Sequence, residues 1–257
     1  MRRLILLAPL LSLLSSSCSG HAESTPPPDA TGFAVVELFT SQGCSSCPPA
    51  DALLSRLGKE PALRGRVIPL SFHVDYWNYI GWSDPFSAGE WSARQRRYSR
   101  TLRDEVYTPQ LIVNGSKSMI GSSEGAVREA ITSALAERPT ARLTISAMTT
   151  PGGAIAIDVK GSQSTQETLE VWVAVVENGL VTKVRSGENR GRTLASNNVV
   201  RALERVTALP AEGDGAGHIE IRPDPAWIVG KLEVVAFAQS PKSSKIHGAV
   251  VTRVPEL

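Results

Sequence analysis

FAVVELFTSQGCSSCPPADALLSRL, residues 33–57, decides how the rest of the chain is read. Val35, Val36, Leu38 and Phe39 form the short, near-continuous apolar run of a strand buried on both faces. Beyond the cysteines, Ala50, Leu53, Leu54 and Leu57 recur at three- and four-residue intervals, which predicts a helix with Gly58 as its stop. Pro48 and Pro49 fit this, since proline is tolerated in a first helical turn. Cys44 therefore stands where strand gives way to helix, and Cys47 lies one turn further on.

The head of a helix presents unpaired N–H groups and the positive end of the macrodipole, so a thiolate is favoured there. Thiolate is the nucleophile of thiol–disulfide exchange, and Cys-X-X-Cys pairs at helix N-termini are unusually acidic. Cys44, nearer the helix end and expected to be the more exposed, is the candidate attacking thiol; Cys47 is the candidate resolving thiol.

Residues 1–22 read as a processed signal peptide: Arg2 and Arg3, an apolar Leu4–Leu14 segment, then small residues. Simple secretion is the plain expectation. Lipidation at Cys18 is the alternative, although Ser15 stands where a lipoprotein box has an apolar residue. Residues 23–31, with Pro26, Pro27 and Pro28, read as an extended linker. A periplasmic or secreted location follows, and Cys44 and Cys47 remain as an even pair in an oxidising compartment. The net charge of +2, from 27 basic and 25 acidic residues, argues against a nucleic-acid partner. No later apolar run approaches the length of a transmembrane anchor.

Residues 66–72 predict a second strand, and residues 73–86 concentrate aromatics in a chain that has only 5% overall. The latter segment reads either as a lid with Trp77 and Trp82 buried or as a substrate-facing wall. A second strand parallel to the first delivers His73 and Asp75 to the edge that carries Cys44. His73 is then placed to relay protons and Asp75 to tune a thiol; the plainer role for such a histidine is a structural hydrogen bond. Residues 87–103 turn helical, with Trp91, Tyr98 and Leu102 on one face and Arg94, Arg96, Arg97, Arg100 and Arg103 mostly on a solvated one. Pro109 precedes the strand Leu111–Val113, Asn114-Gly115 predicts a hairpin turn, and Ser122 or Ser123 caps a further helix.

Strand, Cys-X-X-Cys, helix, strand, inserted helix, Thr-Pro, hairpin and helix, over residues 33–137, resembles the thioredoxin-like superfamily. Gly43-Cys-Ser-Ser-Cys-Pro-Pro-Ala-Asp51, His73-Val-Asp-Tyr-Trp77, Gly81-Trp-Ser-Asp-Pro-Phe86 and Tyr107-Thr-Pro-Gln-Leu-Ile-Val-Asn-Gly115 are similar to a secreted bacterial thioredoxin-like family catalogued as a domain of unknown function, family 1223. The resemblance implies a cis peptide at Thr108–Pro109 beside the cysteines. It implies too that the Thr108 backbone pairs with a substrate chain and that Pro109 shields the thiols from metal capture.

Past Pro139 the periodicity changes to alternation, as in Leu143, Ile145 and Ala147 or Leu169, Val171, Val173 and Val175. About seven short strands separated by Gly- and Ser-rich turns are expected. The expected fold is thus an α/β thioredoxin-like domain with a central mixed sheet, residues 32–138, followed by an all-β sandwich domain, residues 139–257. Glu188, Arg190, Arg192 and Arg201 lie in or near a polar loop that suits a buried ion network or an anionic ligand. His218 and His247 lack companions at zinc-ligand spacing.

These features point to thiol–disulfide exchange on protein cysteines outside the cytoplasm, with Cys44, Cys47, Thr108 and Pro109 at the site, His73, Asp75 and Trp77 in support, and no cofactor or metal required. Three rivals fit the same residues: an envelope binding module in which Cys44–Cys47 is a structural staple, a copper(I)-handling protein, and a peroxidase using Cys44 alone. Whether the pair oxidises, reduces or isomerises depends on how strongly the fold favours the Cys44 thiolate.

Overall fold

A computed structural model describes residues 32–255; the expected signal peptide, Cys18 and the linker up to residue 31 lie outside them. Every residue of β1 (Ala34–Thr40) is buried, as its apolar run requires. The helix α1 (Pro48–Lys59) buries Ala50, Leu53, Leu54 and Leu57, and it continues through Gly58 to Lys59 instead of stopping at the glycine. Next comes β2 (Val67–His73), parallel to β1 with Thr40 opposite His73. After α2 (Gly89–Leu102), β3 (Gln110–Val113) returns antiparallel to β1 and forms a hairpin with β4 (Lys117–Ile120). The turn holds Asn114 at φ 46° and Gly115 at φ 62°, a left-handed pair of the kind an Asn-Gly hairpin demands.

Alternate residues of β1 feed opposite cores, the two-residue period of a strand. Ala34, Val36 and Leu38 pack against α1 and α3 (Glu124–Ala136), while Val35 and Phe39 pack against Trp91 and Tyr98 of α2.

The remaining described residues form nine strands, more than the alternation signalled: β5 (Ala141–Thr149), β6 (Ile155–Gln163), β7 (Leu169–Glu177), β8 (Leu180–Lys183), β9 (Thr193–Ser196), β10 (Val199–Leu209), β11 (Asp214–Ile221), β12 (Leu232–Gln239) and β13 (Ile246–Arg253). Strands β11, β6 and β5 make one sheet and β8 with β9 a separate hairpin; the rest join the first half in one eight-stranded mixed sheet, ordered β13-β12-β7-β10-β2-β1-β3-β4. The apolar faces of the two larger sheets meet through Leu143, Ile145, Ile157, Val171, Val173 and Val234. The junction is β10, parallel to β2 with Val199 opposite Ser71, whose N–H donates to Asn198 O at 2.7 Å. Residues on both sides of the expected boundary at 138 thus share one sheet. Register shifts between Val200 and Ala202 and between Arg205 and Thr207 break the alternation of β10, so its sequence carries no clean strand period.

One side chain departs from the pattern of β1. Glu37 has no exposed surface, and Arg94 answers it with Nε to Oε2 at 2.6 Å and Nη2 to Oε1 at 3.0 Å. The Tyr98 hydroxyl donates to Glu37 Oε1, and Gln239 of β12 donates to that hydroxyl at 2.8 Å. The guanidinium lies 5.2–5.4 Å from the ring centres of Phe72, Tyr98 and Phe237. Arg94, expected on the solvated face, is buried because it falls three residues after Trp91 and four before Tyr98, on the side α2 turns to the sheet.

Breaking this pair leaves an uncompensated buried charge. An Arg94→Met variant is expected to lose about 3–5 kcal/mol of stability at pH 7, and the Glu37→Leu/Arg94→Leu double variant to recover most of it. Urea unfolding of the three proteins checks this, and equal midpoints for wild type and Arg94→Met would refute it.

Candidate functional site

Three connections meet where β1 and β2 end: the turn 41–47, the segment 74–88, and the loop 184–192 between β8 and β9. In the first, Cys44 N–H donates to Ser41 O and Cys47 N–H to Cys44 O, and the Cys47 carbonyl accepts from Ala50 and Asp51 as the helix begins. Cys44 and Cys47 form a disulfide with Cα atoms 5.5 Å apart, and Ser46 Oγ lies 3.3 Å from Cys44 Sγ. Both cysteines are wholly buried, whereas Ser45 and Ser46 are exposed. The expectation that Cys44 is the more accessible thiol is not met, because parts of the chain far away in sequence close over it. A Cβ on Gly43 would come within 3.3 Å of Trp77 and Ile80, and one on Gly187 within 3.2–3.3 Å of Ile80 and Trp82.

Below the pair lie three titratable groups. His73 Nδ1 is 2.7 Å from Asp84 Oδ2, which also accepts the Gln42 N–H at 2.8 Å; Asp84 Oδ1 accepts from Phe86 at 3.0 Å. Burial by itself would lower the His73 pKa, but the charge and hydrogen bond of Asp84, with Asp51 behind, turn the net shift upward. For Asp84 burial pulls up, and His73 with the two backbone N–H groups outweighs it, leaving the carboxyl below its ordinary value. Each partner thus favours the charged form of the other. Asp51 follows Cys47 by one helical turn and accepts from Thr40 Oγ1 at 3.2 Å. It keeps some solvent contact at its edge, yet protein hems it in closely enough to push its pKa up to about 6, against the pull of His73. His73 Nε2 is buried and finds no hydrogen-bond partner among the described residues.

Thr108–Pro109 is a cis peptide, and Trp77 Nε1 donates to Thr108 Oγ1 at 2.7 Å, which ties the aromatic segment to it. Gly121 N–H donates to Pro109 O at 2.9 Å, and a Cβ at Gly121 would press on Leu38 at 2.7 Å. Asp75 points elsewhere: its carboxylate accepts the Ser92 hydroxyl at 2.5 Å, tying the segment to α2. The carboxylates the fold gathers under the cysteines are Asp51 and Asp84, neither singled out by the sequence. Their signals were an acidic residue one turn after Cys47 and an Asp-Pro pair in the aromatic segment.

The loop 184–192 completes the site. Glu188 Oε2 accepts the Ser45 N–H at 2.9 Å, and the Asn189 amide donates to Gln42 O at 2.9 Å and Cys44 O at 2.8 Å. No ion network forms among Glu188, Arg190, Arg192 and Arg201: Arg192 donates to Asn189 Oδ1, and Arg201 pairs with Glu177 at 3.3 Å between the rings of Phe86 and Trp227. Among the described residues no three His, Cys, Asp or Glu side chains converge as a metal site, and no helix is long and apolar enough to cross a membrane.

A family described as "Protein of unknown function (DUF1223)" matches residues 35–239. Among solved structures, one of a protein from Agrobacterium tumefaciens is 28% identical with a TM-score of 0.67, covering 87% of this chain and 95% of that one. HBP35 of Porphyromonas gingivalis, 14% identical, shares the fold with a TM-score of 0.63 over 87% of this chain and 76% of its own. No curated protein matches.

Asp51 sets a pH dependence. Its folded pKa of about 6 lies above the ordinary 3.8, so the fold favours the neutral carboxyl; stability is full at low pH and falls as pH rises from about 4 through 6. Asp51→Asn is expected to unfold later than wild type above pH 7, by on the order of 1–3 kcal/mol given its partial exposure, with the gap closing below pH 4. Thermal unfolding at pH 4 and pH 8 measures this; a gap independent of pH would contradict it.

Proposed function

We propose, for a chain that belongs to the DUF1223 family and takes no assigned activity from it, that the protein exchanges thiols and disulfides on protein cysteines through Cys44 and Cys47. The observation that carries this is the Cys44–Cys47 pair at the start of α1 with a half-buried carboxyl, Asp51, one helical turn further on, hydrogen-bonded to Thr40 and with its pKa pushed up by burial. A disulfide that only staples the fold has no use for a costly half-buried acid beside it.

The order of β1, cysteine pair, α1, parallel β2, α2, cis Thr108–Pro109, β3–β4 hairpin and α3 supports reading residues 32–138 as a thioredoxin-like unit. Two sheets packed face to face support a β-sandwich for residues 139–257, sharing β10 with the first unit. The leader pattern before residue 23 supports export to the periplasm or beyond, with or without a lipid at Cys18.

In the reducing direction, the Cys44 thiolate attacks one sulfur of a substrate disulfide, and the other leaves as a thiolate. The Cys47 thiol then gives its proton to the Asp51 carboxylate and attacks Cys44 Sγ, expelling the second substrate thiolate. Two electrons pass to the substrate and Cys44–Cys47 is left oxidised, the state seen here. The steps in reverse oxidise a dithiol. His73, held by Asp84, stabilises the Asp51 carboxylate while it waits for that proton.

The full burial of Cys44 favours a second reading, a structural staple. A glutathione redox titration, following both thiols by mass labelling, separates the two. Exchange chemistry predicts a reversible two-electron transition above about −300 mV, and a pair that stays oxidised below that value is a staple. Cys47→Ser is expected to accumulate mixed disulfides that Cys44→Ser does not; equal trapping by both would count against Cys44 as the attacking thiol.

A further inference from the structure

A sulfur with no exposed surface cannot be attacked in line by another sulfur, so part of its cover must leave before exchange. Two segments pack against the turn that carries Cys44. The aromatic one is fastened from several sides: Trp77 to Thr108, Asn78 to Ser87, and Asp84 N–H to Asn78. The loop 184–192 is differently held. It tips a two-stranded hairpin that forms no ladder with either larger sheet, and Arg190, Gly191 and Arg192 are exposed. Its hold on the cysteine turn is Asn189, buried, with both amide protons on the Gln42 and Cys44 carbonyls and Oδ1 taken by Arg192, together with Glu188 on the Ser45 N–H. Ser186 Oγ adds a bond to Gly81 O.

We propose that this loop is a gate over the cysteine pair, and that Glu188 and Asn189 are positioning residues for Cys44: Asn189 holds the gate shut, and Glu188 sets the acidity of the thiol. The proposal takes the exchange reading as its premise. The Ser45 N–H, in the turn just before α1, belongs to the residue next to Cys44 and is a donor that would favour a Cys44 thiolate if it were free. In the closed loop a carboxylate occupies it and brings a negative charge to the residue next to the sulfur. Hydrogen bonds from Ser45 hold Glu188 below the ordinary carboxylate range, so it is charged across neutral pH. Closure and thiolate formation therefore oppose each other, and by linkage the reduced pair favours the open loop while the disulfide favours the closed one. The other charges about the pair are Asp51 on α1, His73 on β2, Asp84 beyond it, Arg201 on β10, which opposes the charge of His73, and Arg185, Arg190 and Arg192 on the loop itself.

The test is iodoacetamide labelling of Cys44, located by mass spectrometry, in the intact protein reduced by a phosphine, from pH 4 to 9. Asn189→Ala is expected to raise the plateau rate about tenfold with its pH midpoint unmoved, and Glu188→Gln to lower the midpoint by about half a unit to one unit. A plateau unchanged in Asn189→Ala overturns the gate, and a midpoint unchanged in Glu188→Gln overturns the role of that carboxylate. Hydrogen exchange of wild type guards against a misfolded variant: residues 184–192 should exchange faster in the reduced protein than in the oxidised one, and equal rates overturn the coupling. Failure of the exchange reading shows separately, as a pair that glutathione does not reduce while phosphine-reduced protein still reports the gate.

Discussion

At the midpoint of β1 a carboxylate sits where a strand buried on both faces should have an apolar side chain, and Arg94 is the only guanidinium bonded to it among the described residues. An ion pair removed from water is tolerated only with good geometry and with its remaining polar atoms satisfied, which Tyr98 and Gln239 supply. The demand fixes where α2 lies on the sheet. Since α2 ends the segment 74–88, it also fixes where Asp75 is moored and where Asp84 reaches the cysteine turn. Gln239 comes from β12, so the same charge that orients the helix draws the second half of the chain against it.

The site built on this frame uses proximity of unlike environments. Asp84, given a cation and two backbone N–H groups, stays ionised in the interior; Asp51, given one hydroxyl and a more distant imidazole, gives up much of its acidity. Two carboxyls under one disulfide are thereby set apart in pKa, the arrangement in which one can hold a proton that the other cannot. The cover over the sulfurs comes from a third part of the chain, and its contacts are mostly to backbone, so it senses the shape of the turn more than the side chains it carries.

Local patterns in the sequence carried the first half well. The strand before Cys44, the stripe of α1, the Asn114-Gly115 hairpin and the helix after Ser123 all show their periods or turn residues openly. Two positions there misled: Arg94 looks solvated until Glu37 is known to face it, and Asp75 is a near neighbour of His73 in sequence while Asp84, eleven residues on, is its partner in space. In the second half, β5 to β7 are plain from alternation, but the bulges of β10 erase it. That strand is also the one that pairs with β2, so the continuity of the sheet was hidden with it. The loop over the cysteines was legible as polar and no more, because Glu188 and Asn189 meet the turn 143 and 145 residues away along the chain.

The parallel contact of β10 with β2 also bears on what the chain must avoid. Strand β2 is buried along its whole length and reads VIPLSFH, apolar and uncharged apart from its terminal histidine, with Pro69 as the one break in its row of backbone donors. Left as a border it would offer unpaired backbone groups to any passing strand, the template for edge-to-edge aggregation. During synthesis the first half emerges long before residue 199 does, so for that interval β2 is an open edge. In the folded chain that border is closed where Val199 and Asn198 meet Ser71, and further in Pro69 has no N–H to offer a passing strand.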